Sequence, residues 1–353
     1  MIDNLLDINY VGLVKNPSLF TKLKEYITNI TKSSKSSKYN ICFVCDLKYI
    51  QNKMSRVRFW AIENIGKHKD INLSITGPGF MYFDKNKSLQ YNIKSFNINF
   101  DLVIWYKPLN ENYNFSKNEK MPFKTCLRYN EMWDREWTKK EIDESNTDLI
   151  ICHHENDYLY YKDLYKNKKF VYIPHHANPA IFKPTNIEKD IDILMSGVTV
   201  EKHYPFKYRL NNILTKNKNT RLNKYNVHFH KHPDYNLSYS FLNTNQIEYN
   251  KIINRSKICI VCSSKYNYRL GKYVEIPMAG SVMAGDLPFE DQENFSNFMI
   301  VLNNKMTDDE IVDKLIEKLE NIDNLNRRRK RGLIWSLNHT TDKYVEKLIS
   351  YIN

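Results

Sequence analysis

Short apolar runs alternate with longer polar stretches along most of this chain. In the first half the runs are Tyr39–Asp46, Ile71–Thr76, Phe100–Tyr106, Lys124–Tyr129 and Asp148–Cys152, and the second of them is closed by Gly77-Pro-Gly79. Each is short and nearly continuous in its hydrophobicity, the pattern of a strand buried on both faces. The stretch Leu47–Arg58 reads as a loop that enters a helix at Phe59–Ile65, with Ser55 as its candidate N-cap. One further helix is expected near Leu19–Thr28, ahead of a Lys/Ser-rich connector at Thr31–Lys38.

The same alternation resumes after Lys183–Asp190, a polar segment containing Pro184 that reads as a hinge. It predicts strand Ile191–Met195, helix Tyr204–Leu214, strand Asn226–His230 and helix Ile247–Asn254. Strand Ile258–Cys262 follows, then a short helix carrying Lys272, Glu275 and Ala279, stopped at Gly280, then strand Ser281–Ala284. Strand Phe298–Leu302, helix Asp308–Asn321 and two helical pieces over Leu333–Asn353 complete the chain. Strands that alternate with helices predict parallel sheets covered on both faces, an α/β fold. A length of 353 residues suits two domains rather than one core.

Composition narrows the functional classes. The net charge of +13 accompanies an abundance of Asn, Lys, Ile and Tyr that looks like the imprint of an AT-rich genome, which weakens charge as an argument for nucleic acid. The strongest basic run, Asn326-Arg-Arg-Arg-Lys-Arg331, has no interleaved aromatic platform and reads as a solvated helix face, so no specific nucleic-acid partner is expected. No uncharged stretch is long enough to span a bilayer, and the N-terminus carries acids where a signal peptide needs bases. A cytoplasmic protein is expected, with peripheral contact to an anionic membrane left open. The pairs Cys42/Cys45 and Cys259/Cys262 have a zinc-like spacing. Both lie in strand-like runs, where residues three apart point to opposite sheet faces and cannot converge on one metal. The pairs His153/His154 and His175/His176 are likewise adjacent residues without a third ligand at suitable spacing, and no metal or other cofactor is expected.

The candidate chemistry gathers in the second half. Ser196-Gly197 ends a strand and opens toward a helix, where backbone N–H groups can meet a phosphate. Lys202, Arg209, Arg269 and Lys272 stand on neighbouring segments and complete a candidate diphosphate site. Glu275, near the start of its helix and expected to be an exposed carboxylate facing a crevice, can accept two hydrogen bonds from a vicinal diol such as a ribose.

The order Arg269, Glu275, Ala279-Gly280, followed by a small-residue strand, resembles the donor-site signature of the GT-B glycosyltransferases of the "group 1" kind. Flanking segments share the resemblance: Glu248–Ile258 and Asp286–Glu290 on either side, Ile173–Phe182 as an interdomain strand and turn, and Asp192–Gly197 as the first strand of the donor domain. What the resemblance implies is two Rossmann-like domains facing a cleft, with C-terminal helices crossing back to the first. On that reading residues 1–185 form the acceptor-side domain, 186–335 the nucleotide-sugar donor domain and 336–353 the returning helix. The implied activity is metal-independent transfer of a sugar from a nucleotide-sugar donor to a glycan or other acceptor. Arg269 and Lys272 would then stabilise the leaving diphosphate, and Ser196, Gly197, Lys202, Arg209 and Glu275 would bind the donor. The chain departs from the retaining pattern in having Asn267 where a Glu precedes Glu275 by eight positions, and Asn130-Glu131 where a His often sits. An inverting enzyme would need a carboxylate base, for which Glu131 and Asp134 are the candidates. The rival readings are a basic nucleic-acid-binding protein and a non-catalytic binder of nucleotide sugars.

Overall fold

The structure is a computed structural model that describes residues 37–47, 60–80, 82–106, 108–109, 113–129, 131–232 and 244–352. The expected helix at Leu19–Thr28 and the cap at Ser55 lie outside the described residues. Among these residues two compact units are distinguished, 37–174 with 344–352, and 175–232 with 244–343.

The first unit is built on β1 (Tyr39–Val44), α1 (Trp60–Lys67), β2 (Ile71–Thr76), α2 (Leu89–Lys94), β3 (Leu102–Trp105), β4 (Thr125–Arg128), α3 (Arg135–Ser145), β5 (Leu149–Cys152), α4 (Glu155–Leu164) and β6 (Lys169–Tyr172). The strands form a parallel sheet in the order β2-β1-β3-β4-β5-β6. Strand periodicity divides the apolar residues between its two faces. Ile41, Phe43, Cys45, Ile104, Cys126 and Ile151 enter one core, together with Tyr344, Val345 and Leu348 from the helix Thr341–Ile349 near the end of the chain. Cys42, Val44, Val103, Trp105, Leu127 and Ile150 enter the other, with Ile142 and Tyr161 from α3 and α4. Cys42 and Cys45 therefore lie in different cores, as their spacing requires, and both are buried. Beyond the last helix, Lys124 Nζ donates to the carbonyls of Tyr351 and Ile352 at 3.2 and 2.8 Å.

Sequence periodicity did not mark α2, α3, α4 or β6. The reason is visible in α3, whose buried face consists of Thr138, Glu141, Ile142 and Ser145 rather than an apolar stripe. Glu141 is fully buried, and its carboxylate accepts from Leu109 N at 3.1 Å and from the Tyr129 hydroxyl.

The second unit contains β7 (Ile191–Ser196), α5 (Pro205–Asn217), β8 (Val227–His230), α6 (Thr244–Arg255), β9 (Ser256–Val261), α7 (Lys272–Met278), β10 (Val282–Gly285), α8 (Gln292–Phe298), β11 (Ile300–Val301), α9 (Asp308–Glu320) and α10 (Ile322–Ser336). A single 3-10 turn, Leu337–His339, leads into α11 (Thr341–Ile349). This sheet is also parallel, ordered β11-β10-β9-β7-β8. The chain passes from β7 outward to β8 and returns to β9 on the other side of β7, so the β7/β9 boundary is a topological switch point. Gly332 lets α10 press on α7, since a Cβ there would stand 3.1 Å from Pro277 Cβ and 3.1 Å from Phe298 Cδ2. The basic run falls on α10, where Arg327, Arg329, Lys330 and Arg331 are exposed. Arg328 differs from them, and it donates to Met299 O at 2.6 Å and Asn324 Oδ1 at 2.8 Å. Among the described residues no helix is long and apolar enough to cross a membrane.

Candidate active site

The carboxyl end of β7 at the switch point carries Ser196 and Gly197. Gly197 has φ +84, a backbone conformation that costs a side-chain-bearing residue energy. It turns the chain away from the sheet, and two lysine side chains close around it. A Cβ at Gly197 would lie 3.1 Å from both Lys207 Nζ and Lys272 Nζ. Lys207 comes from the first turn of α5, which opens with Pro205, and it is 5% exposed. Its ammonium donates to Ser196 O at 2.5 Å. Lys272 opens α7 and donates to Ser196 Oγ at 3.0 Å and to the Tyr249 hydroxyl at 2.6 Å. Ser196 Oγ and Tyr249 OH are themselves 2.9 Å apart, so serine, tyrosine and lysine form a closed triangle. Behind it the Tyr249 ring stacks on His230 at 6.0 Å.

Electrostatics leave this cluster poorly compensated. Burial pushes Lys207 down from 10.5 to about 7, with the neighbouring charge of Lys272 adding to the effect. Lys272 is pushed down to about 8 by burial, against the pull of Glu275. Glu275 is not the exposed carboxylate the sequence suggested. It is 8% exposed, because α7 is packed on its flanks by the sheet and by α10, and burial raises its carboxyl to about 7 even with Lys272 nearby. His230 is also lowered, first by burial and then by Lys272. Lys207 and Lys272 are thus desolvated cations around the Ser196-Gly197 turn, the carboxyl beside Lys272 is itself reluctant to ionise, and a bound anion would relieve the imbalance. The absent Cβ of Gly271 gives the Glu275 carboxylate room, since a Cβ there would stand 3.3 Å from Oε1.

The structure brings Ser196, Gly197, Lys272 and Glu275 to one place and distributes the other candidates elsewhere. Arg209 is bound into the loop before α9, donating to Asp308 Oδ1 at 3.0 and 2.7 Å, to Asn304 O at 3.2 Å and to Met306 O at 2.7 Å. Lys202 is exposed in the turn ahead of α5. Arg269 is 1% exposed, with its guanidinium 5.5 Å from the Trp335 ring centre and Nη2 3.4 Å from His175 O. Its charge partly offsets the burial that raises the Glu290 carboxyl. Trp335 in turn stacks on His339 at 4.0 Å and donates to Asp291 Oδ2 at 2.6 Å. In the first unit Asp134 is the N-cap of α3, accepting from Trp137 N at 3.2 Å, and Glu131 is exposed in the preceding loop. Lys207 and Tyr249 were missed by the sequence reading. The available signal was that Lys207 falls on the same side of α5 as Leu210 and Leu214, a lysine placed at a core position.

No protein-family model matches the sequence, and no curated protein sequence is significantly similar to it. Solved structures do match. Sucrose-phosphate synthase from Thermosynechococcus elongatus aligns with TM-score 0.56 at 9% identity, over 89% of this chain and 98% of that one. The UDP-forming α,α-trehalose-phosphate synthase from Burkholderia xenovorans aligns with TM-score 0.55 at 9% identity, over 90% and 98%. HepE from Anabaena, solved in complex with UDP, aligns with TM-score 0.52 at 8% identity, over 89% and 99%. All three are GT-B glycosyltransferases. This chain has the GT-B fold.

Within this GT-B chain the Gly197 turn makes a sharp prediction. Gly197→Ala adds a methyl group at a positive φ and 3.1 Å from two ammonium groups. It is expected to destabilise the protein by about 1–3 kcal/mol and to weaken anion binding at the Lys207–Lys272 pair. Chemical denaturation, together with a pyrophosphate titration, checks both.

Proposed function

We propose that the protein is a glycosyltransferase that takes a nucleotide-activated sugar and moves the sugar to an acceptor hydroxyl without a metal ion. The observation that carries this reading is the pair of ammonium groups of buried Lys207 and half-buried Lys272 around the Ser196-Gly197 turn, at the switch point of a GT-B sheet. In the reaction the bond between the sugar's anomeric carbon and the diphosphate oxygen breaks, and its electron pair stays on the diphosphate. The acceptor oxygen forms the new bond and gives up its proton. Charge therefore accumulates on the diphosphate as the bond stretches, where preorganised cations lower the barrier most. Lys272 and Lys207 would supply them, Tyr249 and Ser196 would aim Lys272, and Glu275 would accept from the donor's ribose hydroxyls. HepE, similar in fold, was solved with UDP, and the similar trehalose-phosphate synthase is UDP-forming, which supports a nucleoside diphosphate as the leaving group.

A thermal-shift screen against UDP-, GDP-, TDP- and CMP-sugars tests the proposal. One of them, at about 100 times its Kd, should add about 2.7 kcal/mol of stability, and no response to any would count against it. Turnover with that donor should persist in excess EDTA. Loss of turnover restored by Mn²⁺ or Mg²⁺ would overturn the metal-free part.

A further inference from the structure

The first unit holds a buried arginine with an unsatisfied guanidinium. Arg128 is the last residue of β4, at the carboxyl edge of the sheet, and is 4% exposed. Its Nε donates to the Tyr344 hydroxyl at 3.1 Å, and its guanidinium carbon lies 5.8 Å from the centre of that ring. Nη1 is buried without a hydrogen-bond partner, and no carboxylate among the described residues pairs with the group. The contrast with Arg135 is direct: that guanidinium meets the buried Asp157 carboxylate at 2.8 Å. His153, the first residue after β5, also packs on Tyr344, with ring centres 5.7 Å apart, and its Nδ1 lies 2.7 Å from Ile173 O. The edge beside Arg128 thus presents two nitrogenous side chains flanking one tyrosine.

An unpaired buried guanidinium is destabilising, and a fold with no use for it gains by replacing it with an apolar residue. Groups held at such a cost concentrate at binding sites, and in parallel sheets ligands bind beyond the carboxyl ends of the strands. Arginine's planar fork is matched to phosphate and carboxylate. We propose that Arg128, braced by Tyr344, binds an oxyanion on the acceptor, so that the acceptor of this transferase bears a phosphate or carboxylate group. This inference rests on the transferase reading above, in which the second unit takes the donor.

The test uses the full chain, with inorganic phosphate and acetate as probes of the two oxyanions. The double variant Lys207→Met, Lys272→Met serves as the background, so that anion binding at the second unit does not mask the signal. Arg128→Met in that background should raise the melting temperature of the ligand-free protein and weaken binding of one probe by about tenfold or more, while Arg128→Lys, which keeps the charge, should lose less. The probe whose binding depends on Arg128 names the oxyanion. A lowered melting temperature with probe binding unchanged would make Arg128 a structural residue and overturn the proposal. Should Arg128→Met fail to fold, Arg128→Lys decides: unchanged affinity for both probes overturns it equally. In the unmodified background Arg128→Met should leave nucleoside diphosphate affinity unaltered, so a failure of the donor reading, seen as no diphosphate binding in any variant, is distinguishable from a failure of this one.

Discussion

Lys272→Met is expected to lower sugar transfer by about 10²–10³-fold, the usual loss when one preorganised charge stabiliser is removed from a transition state. Methionine keeps most of the aliphatic stem, so the packing of the first turn of α7 survives. The ammonium that donates to Ser196 Oγ and Tyr249 OH is lost. Folding stability should hold or rise, because burial already pushes the Lys272 ammonium down to about 8. Donor affinity should fall by less than turnover, since the charge on the diphosphate grows as the bond breaks. Lys207→Met should behave alike, and the double variant should lose less than the sum, because both ammonium groups face one ligand. Steady-state kinetics on the three variants check this. Unchanged turnover in Lys272→Met would remove the lysine from the chemistry.

The second large effect is on pH. Lys207 and Lys272 titrate at about 7 and about 8, so the positive charge that attracts a diphosphate is lost as pH rises through that window. Glu275 titrates at about 7, so its capacity to accept from a diol is lost as pH falls below it. Donor affinity should therefore be bell-shaped, falling by about tenfold per pH unit on the acid side and more steeply on the alkaline side, where two lysines lose their charge. Stability of the ligand-free protein follows the opposite course. Between about 7 and 10.5 the native lysines bind fewer protons than the unfolded ones, so stability rises with pH. Between 4.5 and about 7 the native Glu275 binds more, so stability falls as pH rises. The cluster is least stabilising near neutral pH, where the donor should stabilise it most. Melting curves across pH with and without donor read this, and a pH-independent donor shift would refute it.

The two parallel sheets were legible in the sequence because strands buried on both faces form continuous apolar runs. Ile71–Thr76 matches the observed β2 at both ends. That Ser196, Gly197, Lys272 and Glu275 stand close together was legible because they lie at strand ends and a helix start, positions that turn chemistry marks. Lys207 and Tyr249 were not, since each sits within a helix and reaches the site only through the packing of that helix on the sheet. The same limit misplaced Arg209. On the sequence it neighbours the Ser196-Gly197 turn, but its side chain leaves the site for Asp308 on α9. The burial of Glu275 was equally hidden, since it depends on how α7 packs in the folded unit rather than on any local pattern.

The donor site is tested most directly by a calorimetric titration of the full chain and of its Lys272→Met variant with UDP, GDP, TDP and CDP near pH 7.5. The account predicts that one nucleoside diphosphate binds with one site per chain and that the variant binds it about tenfold or more weakly, the loss for a charged contact worth about 1.5–3 kcal/mol. Binding of none of the four, or equal binding by the variant, would contradict it.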